Sequence, residues 1–222
     1  MEELIKKENE IFDVLQKFID AKLDFIVVGG YAVSAFKHRF SIDADIIIEE
    51  ASLLKFIEVL ENQAFKKTIS RELENLYASK FIRYEKDNAT IDIMVNALAC
   101  RQTGASFSHS FVAKNSLMKS IIGIEKEINV RIPIKELLIA MKIHSGRLTD
   151  FRDVASLAKG TDLDLIKKFV FIGNLSKVQE NLKNLYKAVK DKNFADSFKG
   201  VFIEKKFDID LRQLERISEL MP

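Results

Sequence analysis

The chain has 222 residues, 47% hydrophobic and 31% charged, with a formal net charge of +2. That balance excludes a disordered polymer, and so small a net charge does not by itself indicate nucleic-acid binding. A single cysteine, Cys100, excludes an internal disulfide, and no apolar run reaches the ~20 residues needed to cross a bilayer.

The N-terminal Met1-Glu-Glu-Leu-Ile-Lys-Lys lacks the basic-then-apolar order of a signal peptide, so a cytoplasmic protein without membrane partners is expected. Residues 2–22 carry apolar side chains near the three-and-four spacing of an amphipathic helix. Phe25-Ile-Val-Val28 reads as a buried strand ending in Gly29-Gly30, and Tyr31 to Lys37 as a short helix. Ile42 to Ile48 is a second strand, and 51–63 returns to helical spacing. Residues 79–86 and 90–96 are predicted to form a hairpin turning at Asp87-Asn88. The stretch 100–118 gives no clear pattern; short extended pieces are expected near 119–124 and 127–132. Pro133 suits the first turn of a helix running to about Ser145. Beyond it the chain reads as helical, with breaks near Gly146, Gly160, Gly173 and Gly200. The expected class is α+β (α/β): a small mixed β-sheet flanked by helices over 1–132, then an all-helical part over 133–222.

Chemistry concentrates in Val28-Gly-Gly-Tyr-Ala-Val-Ser-Ala-Phe-Lys-His-Arg-Phe-Ser-Ile-Asp-Ala-Asp45. Asp43 and Asp45, two apart on a strand, point to one face. Neighbouring carboxylates repel unless a cation sits between them, and magnesium takes oxygen ligands of this kind. A solvated strand end is the commoner origin of Asp-x-Asp. Gly29-Gly30 precedes a helix and admits close approach by phosphate, although a plain turn has the same look. Ser41 and Arg39 are placed to meet phosphate oxygens or to serve as ordinary loop polarity. Asp92, flanked by Ile91 and Ile93, is costly on an apolar strand unless paired, metal-bound or at an edge. If its strand neighbours that of Asp43, three carboxylates meet as two-metal phosphoryl transfer requires. His38, His109 and His144 have no metal-cluster spacing. The lysines and aromatics of the last 60 residues, from Lys167-Lys-Phe-Val-Phe171 to Lys205-Lys206-Phe207, suit either an RNA stem or a solvated face over a phenylalanine core.

These residues resemble the polymerase-β-like nucleotidyltransferase superfamily, and within it the AbiEii-type branch that includes toxins of toxin–antitoxin systems. The likeness lies in Gly29-Gly-Tyr-Ala-Val33, in Arg39-Phe-Ser-Ile-Asp-Ala-Asp45, and in the helix of Lys142 followed by Arg152-Asp153, and it spans roughly 25–160. Ala44 between the aspartates, Phe36-Lys37-His38 after the first helix, and a slightly short glycine-to-aspartate spacing depart from the pattern. The resemblance implies a catalytic core over 1–132 and a helical part over 133–222 that completes the nucleotide cleft. It implies two Mg2+ ions held by Asp43, Asp45 and Asp92, and an NTP such as ATP held by Gly29, Gly30, Arg39, Ser41 and Lys142. Arg152 and Asp153 would stand at the rim of the same pocket, with a surface ion pair between the helices as the plainer alternative; Lys142 can equally snorkel from its apolar stretch. The implied reaction moves an NMP to a hydroxyl of a tRNA 3′ end or a protein, with a cognate antitoxin as partner. Two other readings stay open: a non-catalytic nucleotide- or antitoxin-binding protein, and a small-molecule nucleotidyltransferase of the antibiotic-modifying kind.

Overall fold

Apolar residues at helical spacing line one stripe of the first helix, α1 (Glu2–Asp20), where Ile11, Phe12, Leu15 and Phe18 are buried. The computed structural model describes residues 2–73, 79–87, 89–198 and 209–222. Strand β1 (Ile26–Val28) leads into α2 (Gly29–Ser34), then β2 (Asp43–Ile48) and α3 (Leu53–Asn62). Three further strands follow: β3 (Lys66–Leu73), β4 (Ser79–Lys86) and β5 (Ala89–Val95). They form a mixed sheet in the order β1-β2-β5-β4-β3, in which only the β2–β5 pair is parallel.

Alternation divides the sheet's two faces. Ala44, Ile46, Ile91, Ile93, Ile82 and Tyr84 are buried on one face. Phe18, Phe25 and Phe56 stack edge-on beside them, with ring centres 4.8–6.2 Å apart. The opposite face carries Asp43 and Asp45 of β2, Asp92 of β5, and Arg83 and Glu85 of β4. A separate hairpin of β6 (Ala97–Cys100) and β7 (Ala105–Ser108) comes next, then α4 (His109–Lys114) and a second hairpin of β8 (Ser116–Ile122) and β9 (Glu127–Pro133).

The helical remainder comprises α5 (Lys135–Ser145), α6 (Leu148–Leu157), α7 (Leu163–Val170), α8 (Leu175–Lys190) and α9 (Leu211–Ser218). Every residue of α5 from Leu137 to His144 is buried, which makes it the central helix of this group. Gly146, Gly160 and Gly173 take left-handed backbone at the breaks, as their places in the sequence predict. Lys167, Lys168, Lys183 and Lys192 are exposed while Phe169, Phe194 and Phe198 are buried, a solvated face over an apolar core. Lys199, Gly200 and Lys205-Lys206-Phe207 lie outside the described residues, as does Asn88 of the predicted turn.

Several expectations need correction. The helix after β1 begins at Gly29 itself and stops at Ser34, short of Lys37. Pro133 does not open α5 but closes β9, and Ile134 takes the N-cap position with extended dihedrals. Strand β3 gave no advance signal: its sequence Lys-Lys-Thr-Ile-Ser-Arg-Glu-Leu is that of a charged edge strand without apolar alternation. The unassigned stretch 100–118 holds the end of β6, all of β7 and α4.

The chain divides into two compact units. The sheet unit contains Met1–Ala35, Phe40–Leu98 and Phe107–Pro133. The helical unit contains Ile134–Pro222 together with two short segments from earlier in the chain, Phe36–Arg39 and Ala99–Ser106. Among the described residues no helix is long and apolar enough to cross a membrane.

Candidate active site

In the sheet unit, pairing registers bring the expected acidic residues into one row. Val28 lies opposite Asp45, Asp45 beside Asp92, and Asp92 opposite Arg83. Register partners project to the same face, so Asp45 and Asp92 stand side by side on adjacent parallel strands. Asp43, two residues before Asp45, shares that face and lies beside Thr90. Glu85 joins them from β4, opposite Thr90. The third aspartate therefore stands with the other two rather than across the sheet.

The bend at the end of β1 is shaped around this row. Gly29 has φ +65°, a conformation side chains disfavour, and a Cβ there would overlap the Asp45 carboxylate. Glycine is thus required by the carboxylate as much as by the turn. Buried Gly30 follows it as the second residue of α2. The Ser41 hydroxyl donates to the main-chain carbonyl of Asp43 at 3.2 Å and lies 3.5 Å from its Oδ1. Buried Tyr31 donates to the Ser41 carbonyl at 3.2 Å, fixing the approach to β2.

Asp92 is buried and held by both oxygens. Arg83 donates from Nε to Oδ1 and from Nη2 to Oδ2, each at 2.7 Å. Burial pushes the Asp92 carboxyl above its ordinary range; Arg83 opposes this, and the nearby Asp43 and Glu85 charges add to it. Arg83 was absent from the residues the sequence singled out. A signal existed: with a two-residue turn at 87–88, counting back along β4 sets Arg83 opposite Asp92.

The helical unit holds the other expected residues. Lys142 is buried, with its ammonium 2.7 Å from Asp153 Oδ2 and 3.2 Å from Asp150 Oδ1. Arg39 pairs with Asp153, and Arg147 donates to Asp150 from Nε at 2.7 Å. Asp150 and Asp153 are each only 1% exposed, so the cations offset an otherwise large desolvation cost. Burial raises the Asp150 carboxyl, yet the Arg147 hydrogen bonds and the Lys142 charge outweigh it and hold the group below its usual range. Asp153 thus sits in a buried ionic cluster rather than at a surface rim, while Arg152 is half-buried. Asp150 and Arg147 are the members that sequence reasoning missed.

His144 is fully buried, with Nδ1 2.8 Å from the Thr103 hydroxyl. Burial lowers its pKa to about 4, against hydrogen bonds to the Phe169 and Val170 backbone that act the other way. The folded protein keeps this ring neutral while the unfolded chain takes a proton near pH 6.5. Stability is therefore full above pH 6.5 and is lost as pH falls toward 4, by about 3 kcal/mol at ~1.36 kcal/mol per pH unit. Urea unfolding of His144→Gln between pH 4 and 7 is expected to show a flatter acid limb than the parent. Cys100 is buried with its thiol pushed up to about 12 by burial and then by Asp150, which makes it a poor nucleophile. His109 is buried in the sheet unit, with Nδ1 3.2 Å from Glu49.

The donor set of Asp43, Asp45 and Asp92 is all oxygen and suits a magnesium ion. Among the described residues, however, no three His, Cys, Asp or Glu side chains gather tightly enough to hold a metal as they stand.

No family model and no curated protein matches the chain. Among solved structures it is similar to the antibiotic-resistance factor ANT(2'')-Ia in solution, with 14% identity and a TM-score of 0.51 over 73% of this chain and 88% of the other. The crystal structure of ANT(2'')-Ia with adenylyl-2''-tobramycin gives 13% identity and a TM-score of 0.51 over 72% and 92%. The lincomycin-bound lincosamide antibiotic adenylyltransferase LnuA gives 20% identity and a TM-score of 0.45 over 69% and 98%. At these identities the likeness to ANT(2'')-Ia is one of fold.

Proposed function

We propose that the chain is a magnesium-dependent nucleotidyltransferase that moves an NMP from an NTP to an acceptor hydroxyl, releasing pyrophosphate. The observation that carries this reading is the row Asp45–Asp92 on adjacent parallel strands, with Asp43 on the same face and Gly29 bent to leave room for Asp45. The fold shared with ANT(2'')-Ia supports it. Asp43 and Asp45 would hold Mg2+, and Asp92 would share the acceptor-side ion. Magnesium supplies Lewis-acid stabilisation of the phosphoryl oxygens and lowers the pKa of a bound hydroxyl. Asp92 would orient the attacking hydroxyl and receive its proton. Ser41 already leans on Asp43 and would steady that ligand, and the Gly29-Gly30 bend would admit the triphosphate close to the backbone.

The resemblance in Arg39-Phe-Ser-Ile-Asp-Ala-Asp45 favours a macromolecular acceptor, a tRNA 3′ end or a protein, in a toxin held by a cognate antitoxin. A second reading has its own observation: the structure similar in fold at a TM-score of 0.51 holds adenylyl-2''-tobramycin, which favours a small-molecule acceptor.

Four α-phosphate-labelled NTPs, each offered with Mg2+ to total RNA, total protein and aminoglycosides, test the proposal. Label is expected to move from at least one NTP into one acceptor class, with pyrophosphate released and both lost on adding EDTA. Which acceptor is labelled separates the macromolecular from the small-molecule reading. Binding of MgNTP by thermal shift without any pyrophosphate would replace the enzyme with a nucleotide-binding protein.

A further inference from the structure

Asp92 presents a difficulty for the proposed chemistry that the structure also resolves. A carboxylate shared with a divalent ion needs an oxygen directed at that ion, but both Asp92 oxygens accept from Arg83 at 2.7 Å. A bidentate guanidinium takes one in-plane lone pair on each oxygen and holds a positive charge against both, which opposes the approach of a divalent cation. Arg83 is therefore a resident cation at the third acidic position.

The surroundings of Arg83 permit its departure. Its side chain is 31% exposed although Asp92 is buried, so it can swing outward without disturbing the core. Its guanidinium lies 5.9 Å from the centre of the Phe81 ring, two residues away on the same strand. That ring face offers the displaced cation a second partner at the site's edge. Asp43 and Glu85 share the face and leave it acidic when Arg83 moves.

We infer that Arg83 gates the acceptor-side metal position: it occupies Asp92 in the ligand-free chain and must be displaced before a divalent ion is shared between Asp92 and the Asp43–Asp45 pair. This rests on the proposed metal chemistry and adds a residue that governs when the site assembles. A guanidinium that merely aimed Asp92 at the metal would remain in place, and the two roles predict opposite effects of removing it.

The test uses Mn2+ alone, titrated into the full chain and read by the EPR signal of the free ion. Arg83→Gln is expected to bind Mn2+ about tenfold tighter or more, because a positive charge leaves a site that receives a divalent one. The gain should vanish in Arg83→Gln/Asp92→Asn. Arg83→Lys, which keeps a charge but covers fewer oxygens, should fall between parent and Gln. If circular dichroism shows that the Gln variant does not fold, the Lys variant decides by the same sign. Unchanged or weaker Mn2+ binding in the Arg83 variants overturns the inference, as does a gain that survives Asp92→Asn. The metal chemistry itself fails separately, if Asp43→Asn/Asp45→Asn leaves the parent's Mn2+ binding intact.

Discussion

Replacing Lys142 with methionine is expected to destabilise the helical unit by ~3 kcal/mol or more, the cost of breaking a buried ion pair from one side. Methionine fills the same space, so the loss reports charge rather than packing. Lys142 lies between Asp150 and Asp153, each 1% exposed, and its removal strips both carboxylates of a shared counterion. Arg39 and Arg147 still cover one aspartate each, which keeps the cost toward the lower end of the ~3–5 kcal/mol range. The pH dependence carries a second signature. The Asp150 carboxyl titrates lower in the folded protein than in the unfolded chain, so its stabilisation is complete above the ordinary aspartate range and is lost as pH falls through its depressed folded value. In Lys142→Met the Asp150 pKa rises toward the unfolded one, and the acid limb below about pH 4 flattens. Urea midpoints from pH 2 to 7 measure both effects. A variant as stable as the parent at neutral pH would mean that the lysine is a spectator in this cluster.

Under the proposed metal chemistry, Asp43→Asn is expected to reduce nucleotidyl transfer by ~1,000-fold, because a metal ligand would command several kcal/mol of transition-state stabilisation and each ~1.4 kcal/mol is tenfold. The same change should leave stability unaltered or raise it. Asp43 shares its face with Asp45, Asp92 and Glu85, and a neutral amide relieves their mutual repulsion. A loss of activity joined to a gain in melting temperature marks a site kept for chemistry at the expense of the fold. If the variant unfolds at lower temperature and transfers at the parental rate, Asp43 is a structural residue and the metal assignment is wrong.

The sheet unit was largely legible because its signals are local. Apolar runs over Ile42 to Ile48 and Thr90 to Val95 give both strands, and the two-residue spacing sets Asp43 and Asp45 on one face. Adjacency of the two strands was the remaining condition, and the parallel pairing of Asp45 with Asp92 meets it. Strand β3 was invisible because an edge strand needs no apolar alternation to be held by its neighbour. The two buried ionic features were hidden for different reasons. Arg83 and Asp92 are nine residues apart and linked by a countable turn, whereas Arg39 and Asp153 are separated by 114 residues, and no local periodicity anticipates such a pair. Lys142 and Asp150 belong to helices on either side of Gly146, where the angle of the break decides whether they meet.

The interleaving of the two units along the chain bears on how the protein is made. Ala99–Ser106 and Phe36–Arg39 leave the ribosome well before the helices with which they share a compact unit. Thr103 must wait for His144 and for the Asn174 N–H that donates to its carbonyl at 2.7 Å, and Arg39 must wait for Asp153. A nascent chain halted at Pro133 would therefore expose two unsatisfied segments, and such an intermediate is a natural client for chaperones and a ready target for proteases. Dividing the gene at that proline would part Phe36–Arg39 and Ala99–Ser106 from the helices of their own unit.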